Sequence, residues 1–157
     1  MSKAIALAQA AGEAGEIPVG AVIVDSNGNM IASAENRRER SKDPTAHAEI
    51  LALRQAGQTI QNWHLNNCTL YVTLEPCPMC AGAIIQARLK LLVYGADDPK
   101  TGAVRTVANI PDSACSYHRL DVIGGILESA CREQLQTWFA TQRQLKQDSR
   151  SRGKREL

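Results

Sequence analysis

Short runs of β-branched and aliphatic residues alternate along this chain with segments of helical period, and that alternation leaves few architectures open. Val19 to Val24 reads as a buried strand. Ser26-Asn27-Gly28-Asn29 follows as a hairpin turn, since Asn-Gly suits the positive φ angles of a tight turn, and Met30 to Ala34 is the returning strand. Thr69 to Leu74, Leu89 to Tyr94 and a short Leu120 to Ile123 complete the strands. Helices are expected over residues 3–15, with Ile5, Ala8 and Ala11–Gly12 as an apolar stripe, and from Thr45 to Ala56, with Ile50, Leu51 and Leu53 facing inward and Gly57 as the stop. Another opens at Pro76 and runs through Ala87. A long one spans Glu128 to about Lys146, with Cys131, Leu135, Trp138, Phe139 and Leu145 on one side. Asn36 to Pro44 and Gly95 to Asp112 read as loops. Together these predict an α/β fold, a three-layer α/β/α domain around a five-stranded mixed sheet.

The 157 residues fit one domain, which we expect over residues 1–147, followed by a basic, flexible tail over residues 148–157. The net charge of +2 is unevenly spread: from Arg143 to Leu157 there are six basic and two acidic side chains, so the remainder is slightly acidic. A basic end on a near-neutral body fits a polyanionic partner such as nucleic acid, and equally a solvated terminus. No apolar run approaches membrane-spanning length, and the N-terminal stretch meets Glu13 and Glu16 too soon for a signal peptide, so no membrane association and a cytoplasmic location are expected. Five cysteines, two of them in a C-x-x-C, point in a reducing compartment to metal or redox chemistry rather than to a disulfide framework.

Two motifs carry the chemistry. Thr45-Ala46-His47-Ala48-Glu49 and Glu75-Pro76-Cys77-Pro78-Met79-Cys80 each follow a loop and enter a helix. The free N–H groups of a first helical turn favour a thiolate. Cys77 and Cys80 are three residues apart, so both sulfurs can face one point, and His47 adds an imidazole nitrogen. Such a donor set suits Zn²⁺. A fourth ligand could come from Cys68, Cys115, Cys131, His64 or His118, but none lies in a second C-x-x-C or His pair; Cys68 and Cys131 read as core and His64 and His118 as surface, so three protein ligands and a position for water are expected. Glu49, two residues from His47, is placed to shuttle protons without ligating the metal; alone it would pass for a carboxylate stabilised by the helix dipole. The pairing of His-x-Glu with Pro-Cys-x-x-Cys resembles the signature of zinc nucleobase deaminases.

With those residues in hand, the chain resembles the bacterial tRNA-specific adenosine deaminases of the cytidine deaminase-like superfamily. The likeness extends to Glu16–Val22, Asp43–Ile50 with Ala52–Arg54, Thr69–Cys77 with Met79–Ala83, Gly95-Ala96 and Lys100–Ala103, and so covers most of residues 4–145. It implies hydrolytic conversion of adenosine to inosine at the wobble position of a tRNA anticodon stem-loop, by a homodimer holding one Zn²⁺ per subunit. It implies that His47, Cys77 and Cys80 hold the zinc and that Glu49 is the proton shuttle. It implies further that Asn36 contacts the flipped base, that Val19 and Ala48 line its pocket, and that Asp98 lies near the RNA backbone. Asp97 stands where one branch of the family has arginine, and Phe139 matches an aromatic of the last helix. Arg37, Arg38, Arg40 and Lys42 would form the pocket rim, with Lys100 and Arg105 as a second phosphate-binding edge.

The zinc motif alone leaves rivals open. A deaminase of free bases or nucleotides would carry the same ligands. A closed structural zinc in an RNA-binding module would leave Glu49 without a chemical role. A thiol–disulfide role for Cys77 and Cys80 would not need the distant His-x-Glu.

Overall fold

Asp25 makes the first hairpin. Its Oδ1 accepts the backbone N–H groups of Asn27 and Asn29, each at 2.9 Å, and Gly28 turns the chain at a φ of 81°. The expected hairpin turn over Ser26–Asn29 is present, with Gly28 its one residue of positive φ and the aspartate closing it. The strands it joins are β1 (Gly20–Val24) and β2 (Met30–Glu35), antiparallel, with a register shift at Ile23/Val24. In the computed structural model, which describes residues 1–153, they belong to a five-stranded mixed sheet of order β2-β1-β3-β4-β5. β3 (Thr69–Leu74) runs antiparallel to β1 and parallel to β4 (Leu91–Ala96), and β5 (Asp121–Ile123) lies parallel to β4 at the edge.

Helices α3 (Ala48–Ile60) and α4 (Pro78–Gln86) cover one face; α1 (Ser2–Glu13) and α5 (Glu128–Gly153) cover the other. The expected three layers are therefore present. Alternate strand residues Ala21, Ile23, Leu70, Val72, Leu92 and Tyr94 join Ala52, Ala56, Ala81 and Ile84 in one buried cluster, as the two-residue period of a strand requires. On the far face α1 approaches β1 so closely that a Cβ on Gly20 would meet the Ala4 carbonyl, the Ala8 nitrogen and Leu7. α5 is tied to α1 by Gln134 Nε2 donating to the Ile5 carbonyl and Trp138 Nε1 to the Gly12 carbonyl.

Several boundaries and faces differ from expectation. α3 passes Gly57 and ends at Gln61 in the left-handed region, φ 54°. Its buried positions are Ala48, Glu49, Ala52 and Ala56; Ile50, Leu51 and Leu53 are only half-buried, because small residues let the helix lie close to the sheet. α1 likewise buries Ala4, Ala8 and Ala11 rather than Ile5. β4 is shifted to Leu91–Ala96, and the Asn36–Pro44 loop contains a short helix, α2 (Arg38–Ser41). On α5, Cys131 is buried, Leu135 and Trp138 are half-buried, and Phe139 and Leu145 are exposed. That helix continues through Gly153, so the first part of the expected flexible tail is helical and the rest, residues 154–157, lies outside the described residues. No described helix is long and apolar enough to cross a membrane.

Candidate metal centre and active site

The register of the sheet gathers the site at one end. Gly20 of β1 pairs with Glu35 of β2, Ala21 with Val72 of β3, and Leu74 of β3 with Ala96 of β4. The start of β1 and the ends of β2, β3 and β4 thus share an edge, where open α/β sheets bind ligands. α3 and α4 both begin there. His47 is the residue preceding α3 and Cys77 the residue preceding α4, both with extended backbone, and Cys80 lies in the first turn of α4 after Pro78.

The ligand atoms of His47, Cys77 and Cys80 lie within 4.8 Å of one another and form a group that can hold a metal ion; among the described residues no other cluster of histidine, cysteine or carboxylate side chains does so. His47 Nδ1 is 3.6 Å from Cys77 Sγ and 3.5 Å from Cys80 Sγ. The Cys77 thiol is pulled down to about 4, chiefly by the hydrogen bond from the Cys80 thiol, against its burial and with help from His47. Cys80 is pushed up, because it donates that hydrogen bond and because it is buried. The hydrogen bond with Cys77 raises His47, which burial opposes. A divalent cation held there would bind both sulfurs as thiolates and release their protons. Glu49 is 4% exposed, and burial pushes its carboxyl up to about 7, against the opposing pull of its own backbone N–H and of His47.

A cavity of about 180 Å³ opens beside these groups, bordered by Val19, Asn36, His47, Glu49, Cys77 and Asp98 among others. Pockets for drug-sized ligands run to roughly 300–1,000 Å³, so this one admits a fragment the size of a single base. Five residues expected there (His47, Cys77, Glu49, Asn36 and Val19) are brought together, and Cys80 lies behind them, fully buried. Asn36 has both ends of its amide in use: Nδ2 donates to the Ile17 carbonyl at 3.1 Å and Oδ1 accepts the Ala48 N–H at 3.1 Å. Asp98 borders the cavity, but its carboxylate organises its own loop, accepting the N–H groups of Lys100 and Thr101 and the Thr101 hydroxyl.

Other expected residues stand elsewhere. Ala48 is fully buried in the core cluster and does not border the cavity, because its place in the first turn of α3 turns its methyl toward the sheet. Arg40 does not sit on the rim: it turns inward to Glu16, Glu35 and the Asn36 carbonyl. Arg105 reaches the Val122 carbonyl of β5 at 2.7 Å instead of the cavity. Arg37, Lys42 and Lys100 are exposed. Asp97 accepts the Tyr94 hydroxyl at 3.0 Å. His64 and His118 are half-buried rather than fully on the surface, and His118 Nε2 lies 2.6 Å from the Leu89 carbonyl. Arg38 borders both the cavity and an adjoining groove of about 320 Å³, which Phe139, Trp138, Arg143 and Lys146 line from α5.

Two buried carboxylates were missed. Glu16 accepts the Glu39 and Arg40 N–H groups, which fixes α2 beside the cavity. Glu75 accepts a set of donors from the loop after β4. Both lie in the segments that carry the family resemblance, but nothing in residue type or spacing separates a buried glutamate from a solvated one.

Comparison with known proteins agrees with this geometry. A family model described as MafB19-like deaminase matches residues 1–129. A tRNA-specific adenosine deaminase of Haemophilus influenzae is 49% identical over 146 residues, covering 93% of this chain and 84% of the relative. The chain belongs to the family of tRNA-specific adenosine deaminases. The Bacillus subtilis member is 43% identical over 150 residues, covering 96% and 92%. A solved tRNA:A34 deaminase, described for A-to-I editing at the wobble position, superposes with a TM-score of 0.84 at 44% identity, covering 86% of this chain and 97% of its own. The guanine deaminase of Nitrosomonas europaea shares the fold at a TM-score of 0.75 but only 26% identity, covering 88% and 82%.

Proposed function

We propose that this chain is a zinc-dependent hydrolase that converts adenosine to inosine at the wobble position of a tRNA anticodon and releases ammonia. The observation that carries the reading is a buried carboxylate, Glu49, beside a triangle of one imidazole and two sulfurs, in a chain 49% identical to a tRNA-specific adenosine deaminase.

Zinc fits the donors present. Zn–N bonds of about 2.0–2.1 Å and Zn–S bonds of about 2.3 Å at a tetrahedral angle put nitrogen and sulfur roughly 3.6 Å apart. His47 Nδ1 stands at 3.5 and 3.6 Å from the two sulfurs. When bound, zinc supplies a Lewis acid that makes water a nucleophile at neutral pH.

The chain's own residues do the rest. Glu49, poised near neutrality by burial, takes the proton of the attacking water as oxygen bonds to C6 and passes it to N1 of the ring. A second transfer through the same carboxylate reaches the exocyclic nitrogen as the C6–N bond breaks, and ammonia leaves. Asn36 sets the start of α3 and offers its remaining amide hydrogen and lone pair to the base. Val19 packs against the base, and Asp98 with Thr101 forms the opposite wall. Arg38, Phe139 and the basic residues of α5 flank the adjoining groove, a combination that suits RNA phosphates and an unstacked base better than a free nucleobase. Arg37 and Lys100 extend the basic rim. The resemblance further implies a homodimer and a cytoplasmic enzyme.

Incubating the protein separately with an anticodon stem-loop and with free adenosine, cytidine and guanine tests the reading. Inosine is expected in the stem-loop. Turnover of a free base alone would replace this reading with the guanine-deaminase one that the shared fold offers.

A further inference from the structure

Glu75 directly follows β3 and stands two residues before Cys77. Its N–H continues the ladder to the Ala96 carbonyl at 2.8 Å, and it is 1% exposed. Its carboxylate enters no salt bridge among the described residues. Instead, Oε1 accepts the N–H groups of Val104 at 3.3 Å, Arg105 at 2.8 Å and Thr106 at 2.9 Å. Oε2 accepts the Asp98 N–H at 3.1 Å and the Thr106 hydroxyl. One carboxylate thus anchors both ends of the 98–106 segment, and the Ala103 N–H to the Pro76 carbonyl at 2.9 Å fastens its middle.

The segment is built around that anchor. A Cβ on Gly102 would overlap the Glu75 carboxylate and the Asp98 carbonyl, so only glycine fits. Asp98, held by its N–H, in turn holds Thr101 through the Thr101 N–H and hydroxyl, and Asp98 and Thr101 border the cavity. Glu75 also borders it, but the loop donors occupy both of its oxygens, so it has no capacity left for the reacting atoms.

Resting on the proposed action at an RNA-embedded adenosine, we propose that Glu75 is a positioning residue whose carboxylate clamps the 98–106 segment into the wall that recognises the RNA around the target base. Its role is separate from the proton transfers of Glu49. Buried N–H donors facing a single carboxamide would lose acceptors and meet an NH₂ group, so Glu75→Gln breaks the clamp while keeping the volume.

The test uses the full chain with its metal and an anticodon stem-loop. Glu75→Gln is expected to raise KM by about tenfold or more with kcat within about threefold, the pattern of lost uniform binding. Thr106→Val, which removes one donor, should raise KM less, and Thr106→Ser, which keeps the hydroxyl, should restore it. Metal content should stay at the wild-type level. Amide hydrogen exchange should lose protection at Asp98, Arg105 and Thr106 while the strands keep theirs. Equal KM values in wild type, Glu75→Gln and Thr106→Val, or a loss confined to kcat, would overturn the proposal. If Glu75→Gln does not fold, the Thr106 pair decides. If the wild type makes no inosine in the stem-loop, the functional reading fails separately, and stem-loop affinity with amide exchange still judges the clamp.

Discussion

Replacing Asn36 by alanine removes a side chain that is a structural bracket as well as a wall of the cavity. Two hydrogen bonds of 3.1 Å disappear, one to the Ile17 carbonyl and one from the Ala48 N–H. The second matters more, since the Ala48 N–H is among the donors at a helix start that no intrahelical carbonyl satisfies, and Ala48 is fully buried. At about 1 kcal/mol for the bond to Ile17 and about 1–3 kcal/mol for leaving the buried Ala48 donor unpaired, the loss comes to roughly 2–4 kcal/mol. For a domain of this size that corresponds to a fall in Tm of roughly 5–15 °C. Thermal unfolding of the metal-loaded protein, followed by circular dichroism, measures it. Asn36→Asp keeps the acceptor for Ala48 but sets a carboxylate oxygen against the Ile17 carbonyl, and should fall between wild type and alanine. A Tm within about 2 °C of wild type for Asn36→Ala would refute the bracket and leave Asn36 with contact to substrate alone.

Gly20→Ala places a methyl against the Ala4 carbonyl, the Ala8 nitrogen and Leu7, where backbone cannot retreat; a loss of at least about 1–3 kcal/mol is expected in denaturant unfolding, and an unchanged midpoint would contradict the close approach of α1. Glu16 and Glu75 are both buried with pKa values held below the ordinary 4.5, so they contribute stability above that value and lose it as the pH falls through their folded pKa values. Unfolding free energy should therefore drop below about pH 5, less steeply in Glu75→Gln; a flat profile from pH 6 to 3 would contradict this. Removing the metal with a chelator should lower Tm and restore the free thiol reactivity of Cys77, whose sulfur is the stronger thiolate, with Zn²⁺ reversing both; reactivity unaffected by chelation would mean that these sulfurs hold no metal.

The strands were legible because their signal is local. β3 was expected and found at Thr69–Leu74. β4 slid by two residues because Leu89 serves the core beneath α4, and because Gly95 can enter the strand where a side chain would strike Cys131 and the Thr73 carbonyl. Helix faces were harder to read. On α1 and α3 alanines lie inward, since the distance between helix and sheet decides which residues are buried, and hydrophobicity alone does not report that distance. The metal triangle was legible because its motifs are short and each sits at a helix start. The supports were not. Arg40 turning inward to Glu16 and Glu75 gathering five donors depend on contacts between segments up to 31 residues apart, which no local pattern encodes.

The chemical step rests on the acid in the cavity, and Glu49→Gln isolates it. The variant keeps side-chain volume and leaves His47, Cys77 and Cys80 in place. Bound zinc and inosine yield from the stem-loop are measured on the same sample. One zinc per chain with stem-loop affinity retained and inosine formation lost is the predicted outcome. Inosine formed at the wild-type rate by a fully zinc-loaded Glu49→Gln protein would contradict the account.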